Sequence, residues 1–135
     1  MAHFDYLTEA GAEAELAAGR SIQQWLGVRT VDGFRFIHWV EVDPGQATWT
    51  VFEKDSLDAG SPGPTDMTTL HNDNDPDLPE GRAYRCASPS GALAVCASLG
   101  CSMDRFVRFC EIQQQYDALL MAEGPSRPAN EYFQL

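Results

Sequence analysis

The stretch "VRTVDGFRFIHWVEVDPGQATWTVFEK", residues 28–54, constrains this chain more than any other, because it holds two turn signals between runs of strand-forming residues. Asp32-Gly33 lies between β-branched and aromatic residues, and a type I′ turn needs positive φ at both central positions. Asp43-Pro44-Gly45-Gln46 follows, with proline setting φ at the first central position. A segment so punctuated doubles back twice. The expectation is three antiparallel strands at about 28–31, 34–42 and 47–54.

Strand alternation sorts the side chains. In the middle strand Phe34, Phe36, His38, Val40 and Val42 share one face, and Arg35, Ile37, Trp39 and Glu41 share the other. Large apolar groups on both faces predict a central strand covered on both sides. The third strand sets Ala47, Trp49 and Val51 against Thr48, Thr50 and Phe52.

The flanks read as helical. Thr8 is an N-cap for "TEAGAEAELAA", with Glu9 and Glu13 favoured by the helix dipole and a break at Gly19. A second short helix is expected at "SIQQWLG", where Ile22, Trp25 and Leu26 share a face and Gly27 ends it. "RAYRCAS", residues 82–88, has the composition of a fourth strand, and Ser88 or Ser90 caps a helix "GALAVCASL" that stops at Gly100. A long helix is expected over about 102–122, closed by Gly124-Pro125. One of its stripes holds Met103, Phe106, Val107 and Cys110; the other holds Phe109, Ile112, Tyr116, Leu119 and Leu120. The predicted class is α+β: an antiparallel meander of three or four strands, N-terminal helices, and a long C-terminal helix packed on the sheet. Residues 1–124 are expected to form one domain and 125–135 a tail.

Charge is the second constraint. The formal net charge is −11, and eight acids face one base, Lys54, between Glu53 and Glu80. With four prolines, three glycines and seven acids, residues 55–82 read as a long acidic loop. Connections that long inside a compact domain are usually functional or mobile. A field of this sign repels phosphate backbones and anionic lipid, so neither direct nucleic-acid binding nor membrane association is expected. The acidic N-terminal stretch lacks the basic start and apolar run of a signal peptide, and no window is apolar enough to span a bilayer; a cytoplasmic protein is the expectation.

Candidate chemistry is sparse. Asp73, Asp75 and Asp77 alternate like calcium-loop ligands, but the sixth and twelfth positions are Leu78 and Tyr84 where glycine and glutamate are required. His3, His38 and His71 lie in separate elements, and His38 alternates with Phe36 and Val40 as a strand histidine does. The cysteines Cys86, Cys96, Cys101 and Cys110 contain no C-x-x-C pair and read as free thiols. Cys101, just before the expected helix start at Ser102, is the best placed to be reactive, since helix N-termini stabilise thiolates. No nucleotide-binding glycine loop and no G-x-S-x-G elbow occurs, and no cofactor or metal is expected.

The leading expectation is a small acidic protein-binding protein, of the inhibitor or immunity type, that engages a basic protein partner. The residues expected to carry that contact are Asp55, Asp58, Asp66, Asp73, Asp75, Asp77 and Glu80, with Trp39 and Trp49 as aromatic anchors at a sheet edge. The rivals are a small metal- or Cys/His-dependent enzyme using His38, His71 and Cys101, and a ligand sensor whose pocket is lined by Phe36, Trp49 and Phe106.

Overall fold

The computed structural model describes residues 5–31, 33–57, 82–109 and 111–123. Its centre is the expected meander. β1 (Ile22–Val31), β2 (Phe34–Pro44) and β3 (Trp49–Leu57) pair antiparallel, with Val31 opposite Phe34 across the first turn and Pro44 opposite Trp49 across the second. Gly33 takes φ 83°, as the first turn requires. β4 (Arg82–Cys86) adds to β3, and the two-residue β5 (Val107–Arg108) adds to β1. The resulting five-stranded sheet has the order β4-β3-β2-β1-β5, which makes β2 central.

Both faces of β2 are buried, as its alternation predicts. Val40 and Val42 point into a cluster with Ile22, Val51, Leu93, Cys96 and Phe106, beneath α1 (Glu9–Ala17) and α2 (Pro89–Ser98). Ile37 and Trp39 point the other way, into a second cluster with Val107, Ile112 and Tyr116 beneath α3 (Ile112–Glu123).

The helices on the first face are defined by their ends. The Thr8 hydroxyl accepts from Gly11 N–H at 2.9 Å, and the Ser88 hydroxyl accepts from Gly91 N–H at 3.0 Å, each satisfying a donor the helix cannot. Both helices stop the same way. Arg20 N–H reaches back to Glu15 C=O past Gly19 (φ 82°), and Cys101 N–H reaches back to Cys96 C=O past Gly100 (φ 102°). These are six-to-one closures around a left-handed glycine.

Two expectations are corrected. "SIQQWLG" is not a second N-terminal helix; it is the first half of β1, so the strand begins at Ile22 rather than near Val28. Trp25 pairs with Trp39 and Gly27 with His38, which leaves Leu26 as the extra residue of a bulge. Ile22 and Leu26 pack on the first cluster and Trp25 on the second, so residues spaced for one helical face are divided between the two faces of the strand. Gly27, read as a helix stop, supplies φ 157° at the bulge, an angle L side chains rarely adopt. The glutamines Gln23 and Gln24, buried at 0% and 3% exposure, hold this strand through their side-chain amides. Gln24 exchanges two hydrogen bonds with the Ser102 backbone at 2.8 Å, and Gln23 donates to Glu41 at 2.7 Å.

The long C-terminal helix over 102–122 is also not formed. Phe106 lies in the first cluster and its neighbour Val107 in the second, a reversal of direction that only extended chain allows. α3 starts at Ile112 and keeps the later stripe, with Ile112, Tyr116 and Leu119 on the sheet, while Phe109 is exposed. The acidic loop is also shorter at its start than expected, because β3 runs on through Leu57.

Truncation should therefore discriminate sharply between sites. Ile37→Ala, which empties the second cluster, is expected to cost roughly 2–5 kcal/mol in urea unfolding. Phe109→Ala should change stability by less than about 0.5 kcal/mol.

Candidate functional site

The acidic stretch leaves β3 after Leu57 and returns at Arg82, which pairs with Glu53 on the neighbouring strand. Its two ends thus adjoin neighbouring strands, with Leu57 four residues beyond the partner of Arg82. Asp58, Asp66, Asp73, Asp75, Asp77 and Glu80 lie outside the described residues, as do His3, His71 and Cys110. Asp55 does not belong to the loop: it is on β3, 14% exposed at its side chain, and paired with Arg29 at 2.5 Å. Glu53, two residues earlier, accepts a hydrogen bond from His38 Nε2 at 3.0 Å. Among the described residues no three His, Cys, Asp or Glu side chains are arranged to hold a metal ion.

The aromatic anchors fall differently from expectation. Trp39 is not at an edge; it is on the central strand, 1% exposed, and its indole N–H donates to Ser56 Oγ at 2.9 Å. Burial on that scale removes it from any surface contact. Trp49 is half-buried on β3, and its indole N–H donates to Leu16 C=O at 2.9 Å, which ties the sheet to α1. Phe106 and Trp49 are part of the packed first cluster rather than the walls of a pocket.

Cys101 does not precede a helix. It follows α2, is buried, and faces Cys96. The hydrogen bond that the Cys96 thiol donates to Cys101, together with burial, pushes the Cys96 thiol far above its ordinary range, and burial pushes Cys86 up as well. These are conditions that favour the thiol over the nucleophilic thiolate.

One constellation was not singled out from the sequence. On the sheet face that carries Trp39, Glu41 is only 7% exposed. It accepts from Gln23, lies 3.7 Å from the ammonium of Lys54, and has Asp43 as a like-charged neighbour. Lys54, the single lysine of the chain, sits 4.9 Å from the Trp39 ring centre and 5.5 Å from that of Phe52. Burial pushes the Glu41 carboxyl above the usual carboxylate range, against the Gln23 hydrogen bond and the Lys54 charge, with Asp43 adding to the rise. The signal in the sequence is Glu41 alternating with Ile37 and Trp39, and a lone lysine placed diagonally across a hairpin.

Four cations of the body pair with its own acids. Arg20 and Arg108 both hold Glu15, Arg29 holds Asp55, and Lys54 lies beside Glu41. Asp58 through Glu80 carries six acids and no base, so −6 of the −11 charge falls in that span.

Glu41→Gln keeps an acceptor for Gln23 and removes the charge. Because the folded-state carboxyl titrates above the unfolded one, its contribution to stability is present at low pH and lost as pH rises through the raised value. The variant should gain stability relative to the parent as pH rises above about 4, measured by urea unfolding. A difference that does not change with pH would contradict the burial argument. No helix among the described residues is long and apolar enough to cross a membrane. Comparison with family models, curated proteins and solved structures finds no match.

Proposed function

We propose that this chain is an acidic binding module that engages a basic protein surface through the span between β3 and β4, in the manner of a small inhibitor or immunity protein. The observation that carries this reading is the segregation of charge. Arg20, Arg29, Lys54 and Arg108 of the body have carboxylate neighbours from the body itself, whereas Asp58, Asp66, Asp73, Asp75, Asp77 and Glu80 occur in a stretch without lysine or arginine. That stretch joins β3 to its neighbour β4 and concentrates negative charge along the sequence. A field of this kind accelerates encounter with a cationic protein and disfavours nucleic acid. Asp55 of β3 contributes little to it, because it is held by Arg29.

Reversal of three charges tests the proposal. The combined change of Asp73, Asp75 and Asp77 to Lys should leave the thermal unfolding of the body unaltered. It should slow association with a captured basic partner by about tenfold or more at low salt. Raising the ionic strength should slow the parent protein in the same direction, since exposed charges are screened over about 8–10 Å near physiological salt. Capture that survives the triple reversal unchanged would remove the basis of the proposal.

A further inference from the structure

Away from the β3–β4 edge, the C-terminal end of α1 and the short β5 enclose a cleft of about 480 Å³, lined by Glu15, Arg20, Ser21, Arg108 and Phe109. Its electrostatics oppose those of the chain as a whole, with two guanidinium groups to one carboxylate. Glu15 occupies only the Nε of each: one carboxylate oxygen accepts from Arg20, and the other accepts from Arg108 at 3.3 Å. The η-nitrogens of both arginines make no hydrogen bond or ion pair with other described residues. Ser21, on the cleft wall, donates its hydroxyl to Asp43 at 2.9 Å, which fixes the loop between α1 and β1. Phe109 stands beside this group at 56% exposure, one of few large apolar side chains left in solvent among the described residues.

Stability does not explain the convergence. Arg20 and Arg108 are 63% and 51% exposed at their side chains, and exposed ion pairs add little to folding. The arginine hydrogen bond holds the Glu15 carboxyl below its usual range, so the carboxylate stays ionised and keeps the two forks in place. Paired guanidinium forks with donors unpaired among the described residues, set beside an apolar ring in a concavity, are the elements from which small-oxyanion sites are built.

We propose that the cleft between α1 and β5 is a binding site for a small organic oxyanion, a carboxylate or phosphate monoester with a flat apolar body. Arg20 and Arg108 take the acid group and Phe109 takes the body. The net charge of the chain works against any anion that lacks that apolar contribution. This site is independent of the acidic span and of any basic partner.

Phenyl phosphate, benzoate and inorganic phosphate serve as probes, with binding read by calorimetry and by the arginine Nε–H resonances. Saturable binding of phenyl phosphate or benzoate, with Arg20 and Arg108 resonances shifted, is expected; the stronger of the two identifies the acid group. Arg108→Gln should weaken binding by about tenfold, consistent with loss of a charge-assisted hydrogen bond. Arg20→Gln, which lies outside the sheet, should weaken it similarly should the Arg108 change loosen β5. Phe109→Ala should weaken the aromatic probes and leave inorganic phosphate unaffected. Absence of saturation with both aromatic probes, or affinity unchanged in both arginine variants, would overturn the proposal.

Discussion

The structure depends on burying one strand from both sides. β2 sends Val40 and Val42 into one cluster and Ile37 and Trp39 into the other, so it joins the two layers of helix that flank the sheet. Each layer alone would have half a core. The alternation of a strand supplies both faces from consecutive residues, a division that no helix of the same length could make. Edge positions are then left to short or charged strands. β5 has two residues, and β4 presents exposed Arg82 and Arg85, features that discourage further strand pairing.

The same sheet sorts charge. Its cross-strand registry puts His38 beside Glu53, Arg29 beside Asp55, and Lys54 beside Glu41, so acids in the middle of the sheet meet bases from neighbouring strands. The negative excess accumulates where registry ends, between Leu57 and Arg82. The arginine-lined cleft is by β5, at the opposite edge of the sheet from β4.

The buried polar groups act as fasteners. Gln23, Gln24, Ser56 and Glu41 are enclosed, and the bonds described for them run between elements that are distant in sequence. Gln24 joins β1 to Ser102, and Trp39 joins β2 to β3 through Ser56. A buried amide or carboxyl is costly without a partner, so each such bond also specifies registry. Glu41 remains the costly member, since its hydrogen bond and neighbouring ammonium do not fully offset desolvation.

What could be read from residues alone was local. The Asp32-Gly33 turn, the two faces of β2, the Thr8 and Ser88 caps and the stops at Gly19 and Gly100 all follow from backbone preferences within a few positions, and the α+β class follows from them. The identity of "SIQQWLG" did not, because Ile22, Trp25 and Leu26 are spaced for one helical face, whereas the strand sends Trp25 to the opposite side from Ile22 and Leu26. Only the presence of β2 as a partner, and of Ser102 to receive Gln24, decides for the strand. Phe106 and Val107 likewise fit a helical stripe until two separate cores pull them in opposite directions. The acidic span was legible as composition, whereas the neutralisation of Asp55, the burial of Trp39 and the meeting of Arg20 with Arg108 depend on contacts between elements far apart in the chain. Local propensity is set by neighbours in sequence; burial and charge pairing are set by neighbours in space.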